Sequence, residues 1–411
     1  MSLKYDVLVV GAGISGCIFA MSAARNGAKV LLVERKNEIA APLRGGEAFC
    51  KPFFDLLAEE MPFLKTVPKW ELSGTKMVLE KFEILNKEPK WLAYMLERRV
   101  FEKTLAIEAV KSGCEILLAS TFRGFIYNKG LATAAIVDTP DGRKKITARV
   151  FVGADGYASK VRSVLGLKQF SKDLGTAIEI EMAGAKLSTE EYIQIFVGQV
   201  PGGYAYIFPK GGGRVATGVG MRPLIEAGKK KTPIEYFNLL KNEIPELHSQ
   251  LQNAVALEIK GGCIDLEGPI AAVHKNILLV GDAANQSFAY VGEGILPGMV
   301  AAQIAGEAAA QYIKNNDLII LKNYEKDFLA SEIGKEVLHT AEIKDAINFV
   351  LASNKSKEYK QFFTALLEME IIDCSKAAVK ETMKNNTVQE LVELAKVKIK
   401  ENNFSVEIIQ R

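Results

Sequence analysis

Gly11-Ala12-Gly13-Ile14-Ser15-Gly16 places three glycines at the spacing GxGxxG, directly after an apolar run at 6–10 and before a helical stretch at 15–26. Glycines so spaced let the chain turn tightly, let an anion approach the backbone and let the helix pack close to the strand. The chemistry they offer is the holding of a pyrophosphate at a helix N-terminus, where unpaired N–H groups and the helix dipole favour negative charge. Glu34 closes a second apolar run at 29–33, where a carboxylate can bind ribose hydroxyls, and Arg35 stands beside it. Strand, glycine turn, helix, strand and acid together read as a dinucleotide-binding βαβ unit, with Gly11, Ala12, Gly13, Ser15, Gly16, Glu34 and Arg35 as its contact residues.

Two later segments narrow the dinucleotide. One is Val152-Gly153-Ala154-Asp155-Gly156-Tyr157-Ala158-Ser159-Lys160-Val161-Arg162; the other is Val280-Gly281-Asp282-Ala283-Ala284-Asn285, leading to Gly292-Glu293-Gly294-Ile295. In this order and spacing the three segments resemble the aromatic-hydroxylase-like superfamily of FAD proteins. The resemblance implies FAD as cofactor, with Ala154, Asp155, Gly156, Gly281 and Gly292 around it. It implies that Asp282 binds the ribityl chain and that the helix start at Gly294 and Ile295 points backbone N–H groups at the pyrimidine end of the flavin. Arg98, in the pattern Arg-x-x-Phe-Glu, matches the arginine near the FAD phosphates, and Phe122 matches a position whose backbone meets adenine.

Within that superfamily the chain most resembles the geranylgeranyl reductase family. The residues are Pro42-Leu43-Arg44-Gly45-Gly46-Glu47-Ala48 and Pro201-Gly202-Gly203-Tyr204-Ala205-Tyr206-Ile207-Phe208-Pro209, the second resembling the signature PxxYxWxFP with Tyr206 in place of Trp. The resemblance adds Gly45, Gly46 and Ala48 to the cofactor contacts. It implies reduction of C=C bonds in a prenyl lipid or isoprenoid chain, by hydride from reduced flavin and a proton from a donor that no motif names. Tyr204, Tyr206 and Phe208 alternate along a strand, so they can form one wall of an apolar channel. The reductant is NAD(P)H or another electron donor such as a ferredoxin-like protein. Gly45 stands where the family often has Cys; Cys50 follows later and reads as a buried, inert thiol. His248, His274 and His339 lie in no catalytic pattern. The alternatives are an aromatic monooxygenase, against which Asn285 and Ala289 replace the His and Pro common there, an electron-transfer flavoprotein dehydrogenase, and a non-catalytic lipid-binding flavoprotein.

The elements that must position these residues follow from the rest of the chain. Its 411 residues exceed a single typical core. Lys and Arg number 52 against 49 Asp and Glu, a balance that gives no reason to expect nucleic acid. Cys17, Cys50, Cys114, Cys263 and Cys374 form no CxxC pair, so neither a metal site nor a disulfide framework is expected. No apolar run reaches transmembrane length, which suits a cytoplasmic protein with peripheral membrane contact at most. A helix at 98–112, a strand at 115–119 and a meander over 124–128, 132–138 and 144–150 lead to strand-rich sequence at 173–265. Strand character returns at 276–280, and the last 80 residues or so read as helices, one opened by the capping box Thr387-x-x-Glu390. The expected architecture is α/β: a discontinuous Rossmann-type FAD domain at 1–70, 95–170 and 266–320, an interleaved α+β substrate domain with an antiparallel sheet at 71–94 and 171–265, and C-terminal helices at 321–411.

Overall fold

The structure, a computed structural model, describes residues 3–88, 92–169, 171, 173–200, 202–222 and 231–411; Pro201 of the aromatic signature lies outside them. The chain forms two compact units, each assembled from separated stretches. The first comprises Met1–Leu43, Arg98–Asp173 and Ile264–His339, the second Arg44–Glu97, Leu174–Cys263 and Thr340–Arg411.

The first unit is built on a six-stranded sheet in the order Val273–His274, Ile277–Leu279, Val150–Gly153, Val7–Val10, Val30–Val33, Glu115–Leu117. All pairs are parallel except the first. Parallel strands are covered on both faces, which is why Val7-Leu8-Val9-Val10 and Val30-Leu31-Leu32-Val33 are apolar without alternation and buried throughout. The helix Ile14–Arg25 packs along Ile295–Asn315 so tightly that a side chain at Gly306 would strike the Phe19 carbonyl. The meander forms as Thr121–Asn128, Leu131–Thr139 and Gly142–Thr147. Its third strand ends sooner than expected, because Val150 already begins a parallel strand beside Val7–Val10.

The second unit carries an eight-stranded sheet in the order Val255–Asp265, Leu174–Ala183, Arg214–Met221, Gly203–Pro209, Tyr192–Val200, Gly74–Val78, Phe82–Asn86, Val406–Gln410. One face buries Ile180, Met182, Ala205, Ile207, Val215 and Val219 against Phe237 and Leu240 of Pro233–Glu243 and Leu247 and Leu251 of Pro245–Leu251.

Two differences from the sequence reading have a backbone cause. Residues 44–70, expected with the cofactor domain, fall in the second unit because Ala48–Cys50 and Lys69–Glu71 both pair with Ala93–Leu96. The C-terminal region is not helical to its end: Val406–Gln410 adds an antiparallel strand beside Phe82–Asn86. The capping box forms as expected, Thr387 accepting from the Glu390 N–H and Glu390 from the Thr387 N–H. On that helix Leu391, Val392 and Ala395 are buried and Val397 is exposed.

Removing residues 406–411 should therefore cost stability without touching the cofactor cradle. Loss of the edge pairing should lower the melting temperature by roughly 4–8 °C, the consequence of about 2 kcal/mol in a unit of this size. An unchanged melting temperature would mean the strand is not held in solution.

Candidate functional site

The glycine turn is shaped by contacts that admit no side chain. Gly11 has φ +101°, a left-handed conformation, and a Cβ there would run into the Ala154 carbonyl. A Cβ at Gly16 would run into the Gly11 carbonyl, so the third glycine lets the helix sit on the turn itself. Gly13 differs: a Cβ there meets nothing within 4 Å. Gly13 is the N-cap of Ile14–Arg25, no side chain caps that helix, and no acidic residue stands in its first turn. Open space before an uncapped helix N-terminus, free of carboxylates, fits the pyrophosphate of FAD.

Glu34 is buried, and its two oxygens tie the second strand to the glycine turn: Oε2 accepts from the Ala12 N–H at 3.0 Å and Oε1 from the Lys36 N–H at 2.9 Å. Arg35 is exposed. The Ser120 N–H donates to the Glu34 carbonyl, which brings the start of Thr121–Asn128, with buried Phe122, up to this acid.

The second and third segments meet at the same turn. Ser15 is wedged between Gly281 and Gly298, where a Cβ on either glycine would press into its side chain. Asp155 is consumed in structure: its carboxylate accepts from the Ser159 hydroxyl at 2.6 Å, the Lys160 N–H at 2.7 Å and the Val161 N–H at 3.2 Å, opening the short helix Lys160–Val164. Its contribution to a cofactor site is thus the shape of the Ala154–Gly156 loop. Arg162 is buried and donates to Asn285 Oδ1 at 2.7 Å, locking the second segment to the third. Gln286 accepts from the Gly281 N–H and donates to the Tyr324 hydroxyl. Neither Arg162 nor Gln286 stands out in the sequence, since what each joins includes a distant partner, Asn285 for Arg162 and Tyr324 for Gln286.

Asp282 stands against the start of Ile295–Asn315: a Cβ on Gly294 would lie 2.7 Å from Asp282 Oδ1. Burial pushes the Asp282 carboxyl up to about 6, against the opposing pull of Arg98. Arg98 is itself buried and paired with Glu102 at 2.8 Å. The helix start is a correction in detail. Of the helix start at Gly294 and Ile295, expected to face a cofactor, the Ile295 N–H donates to Glu293 Oε1 at 2.8 Å, as does the next N–H, of Leu296, at 3.0 Å. Glu293 Oε2 is closed off from solvent with no hydrogen-bond partner. Burial raises this carboxyl to about 7 in spite of those two N–H groups.

The remaining candidates lie in the second unit. Gly45 and Gly46 are exposed, and Ala48 opens a strand. Tyr204, Tyr206 and Phe208 do share one face of Gly203–Pro209, their rings 6.0 and 4.3 Å apart in succession, the second pair stacked. The same face carries a buried ionic cluster that no motif indicated. Glu47, Lys210, Lys260 and Glu179 are each nearly inaccessible. Glu47 pairs with Lys260 and, at 2.6 Å, with Lys210; Lys260 pairs with Glu179 at 3.2 Å; Lys210 reaches Glu181 at 3.2 Å.

Comparison with known proteins agrees with this frame. The family described as FAD binding domain matches residues 4–332. A digeranylgeranylglycerophospholipid reductase of Methanosarcina acetivorans is 34% identical over 328 residues, covering 77% of this chain and 78% of the relative. A digeranylgeranylglycerophospholipid reductase 2 of Methanococcoides burtonii is 31% identical and covers 93% of this chain and 94% of its own. Among solved structures, a geranylgeranyl bacteriochlorophyll reductase-like protein from Thermoplasma acidophilum superposes with a TM-score of 0.79 at 24% identity, covering 96% of this chain and all of that one. The flavin-dependent brominase Bmp2 shares the fold with a TM-score of 0.67 at 17% identity, over 95% of this chain and 93% of its own.

Two outcomes are expected of the cradle. Gly13→Val should fill the open space and abolish FAD retention, whereas Glu34→Ala should weaken it by about 1–3 kcal/mol; flavin-to-protein ratios after gel filtration decide. Glu293 should make stability depend on pH. An acid whose folded value lies above its unfolded one favours folding at low pH, and that contribution is lost as pH rises through the folded value. For Glu293 the window runs from the usual 4.5 to about 7. Glu293→Gln keeps an oxygen for the two N–H groups and cannot ionise, so its melting temperature relative to the parent should rise between about pH 5 and about pH 8. A difference independent of pH would rule out a protonated Glu293.

Proposed function

The chain belongs to the geranylgeranyl reductase family of FAD-dependent oxidoreductases, and from that premise we propose that it reduces the prenyl C=C bonds of a digeranylgeranylglycerophospholipid or a close isoprenoid relative. The observation that carries the reading is the pairing of an uncapped, glycine-framed dinucleotide cradle in one unit with a continuous aromatic stripe, Tyr204-Tyr206-Phe208, in the other. Reduced FAD supplies the hydride.

The rest falls to the chain's own residues. Gly11, Ala12, Gly13, Ser15 and Gly16 hold the pyrophosphate through backbone, Glu34 and Arg35 the adenosine side with Phe122, and Arg98, Asp282, Gly292, Gly294 and Ile295 the flavin side. Ala154, Asp155, Gly156 and Gly281 shape the loops between, and Gly45, Gly46 and Ala48 are further proposed cofactor contacts. An isolated alkene has no oxyanion to stabilise, so the protein contributes positioning, exclusion of water and a proton. Tyr204, Tyr206 and Phe208 offer the apolar wall against which such a chain lies. Electrons come from NAD(P)H or a ferredoxin-like protein. The lipid is proposed to be met by peripheral contact at a membrane surface; no helix among the described residues is long and apolar enough to cross one.

Anaerobic incubation of the dithionite-reduced protein with the dispersed lipid tests this. Mass spectrometry should show a gain of two hydrogens for each bond reduced, together with return of the oxidised flavin spectrum. Product formation that requires oxygen and adds a hydroxyl would replace this reading with the monooxygenase one, and lipid bound without turnover would leave a binding protein.

A further inference from the structure

The reduction proposed above needs a proton, and the three histidines do not offer one in a catalytic setting. The aromatic stripe does. Glu179 of Leu174–Ala183 lies opposite Gly218 of Arg214–Met221, and Gly218 in turn lies opposite Tyr206 of Gly203–Pro209. Side chains at register positions of one row share a face of the sheet. Gly218 contributes no side chain to this row, so the Tyr206 hydroxyl reaches across the intervening strand to Glu179 Oε2, 3.1 Å away. A Cβ at Gly218 would stand 2.9 Å from that hydroxyl.

The geometry points to Tyr206 as the group that gives the alkene its proton, with Glu179 as the buried positioning acid that replaces it; this rests on the reading that the stripe carries the prenyl chain. The direction of one hydrogen bond makes the device work. When Glu179 is ionised, it can only accept, and Tyr206 must donate its proton to it. When Glu179 holds a proton, it donates to the phenolic oxygen, and the Tyr206 hydrogen turns to another acceptor: the Ile178 carbonyl at 3.5 Å at rest, the alkene in the reaction.

The cluster favours the second state. Facing Glu179 are Lys260 and Glu258 from Val255–Asp265, Tyr206 and Tyr204 from Gly203–Pro209, and Glu47 from the segment before Ala48–Cys50, with Glu181 on its own strand. Carboxylates outnumber the two buried lysines, and Glu47 already engages both of these. Burial, with Glu47 adding to it, raises the Glu179 carboxyl above its usual range despite Lys260. Burial likewise holds the Tyr206 phenol well above its usual value, with Glu179 adding to it, so a free phenolate is not formed. Tyr206 therefore gives up its proton as it takes the one from Glu179.

The step balances. The π pair of the alkene bonds the Tyr206 proton at one carbon, and the other carbon takes a hydride with its two electrons from the reduced cofactor, which is oxidised. Tyr206 recovers a proton from Glu179, and Glu179 is reprotonated from solvent.

The test follows a single turnover. Holoenzyme is reduced with dithionite under anaerobic conditions and mixed with dispersed digeranylgeranylglycerophospholipid, while flavin reoxidation and product mass are recorded. Tyr206→Phe should slow reoxidation by about 100-fold or more, with FAD content, melting temperature and reduction potential unchanged. Glu179→Gln should slow it comparably. It should also abolish the fall in rate that the parent shows as pH rises through the raised Glu179 value. In deuterium oxide the parent should place one solvent deuterium at each reduced bond. If the parent turns over and Tyr206→Phe keeps its full rate, or Glu179→Gln keeps the parent's pH profile, the proton assignment is overturned while the reductase reading stands. If the parent never reoxidises with a prenyl lipid, the reductase reading itself falls. Should Tyr206→Phe lose FAD or melt early, Glu179→Gln and its pH profile decide alone.

Discussion

A helix offers its first-turn amides to a phosphate only if nothing in the protein reaches them first, and most of the first unit is arranged around that constraint. Gly16 lets the helix Ile14–Arg25 rest on the Gly11 carbonyl, and Gly11 rests on the Ala154 carbonyl. On the far side Ser15 fills the gap between Gly281 and Gly298. Three distant stretches of chain thereby converge on one turn. Added bulk at Gly11 or Gly16 would press on backbone, and at Gly281 or Gly298 on the Ser15 side chain, and close-packed interiors resist such shifts. The polar links around the turn serve the same end. Glu34 pins Ala12, Arg162 pins Asn285, and Gln286 pins Gly281.

The second unit solves a different problem. A sheet face crossed by Glu47, Lys210, Lys260 and Glu179 places charge where water is scarce, and a buried ion pair only roughly repays the desolvation of its members. Such a cluster is weak evidence of stability, and replacing its members with apolar residues of similar size would often be tolerated by the fold. Its retention beside the aromatic stripe is better explained by chemistry. The opposite face packs as an apolar core against two helices. One sheet thus separates the work of holding the fold from the work proposed for the site.

What was legible in the sequence is what sterics and local spacing dictate. Gly11 and Gly16 announce a turn because no side chain fits at either, Gly13 between them leaves room for an anion, and Thr387 with Glu390 announces a cap because both partners lie within one helical turn. The alternation of Tyr204, Tyr206 and Phe208 gives a shared face for the same reason. What was not legible depends on partners far apart. Glu47 and Lys260 lie 213 residues apart, and nothing local marks either as buried. The short strand Val406–Gln410 is defined by its pairing with Phe82–Asn86, not by its own pattern. Glu293 sat inside a quoted motif, yet its bonds to Ile295 and Leu296 became visible only once the helix start was fixed.

The acids of the two units differ in a way that matches the roles proposed for them. In the second unit, lysines meet Glu47 and Glu179, and the proton proposed to pass to Tyr206 comes from Glu179. In the first, Asp282 and Glu293 are lifted by burial to about 6 and about 7, with Arg98 as the cation that opposes the shift. Near neutral pH the Glu293 carboxyl is often neutral, whereas Asp282 is mostly ionised but takes up a proton more readily than an ordinary aspartate. Adding electrons to a flavin adds negative charge, and a permanently ionised carboxylate nearby would oppose it. A pair of acids that can accept protons lets the site absorb the change without accumulating charge. In the flavin site proposed for them, the burial that makes these groups costly to ionise would make the cofactor easier to reduce.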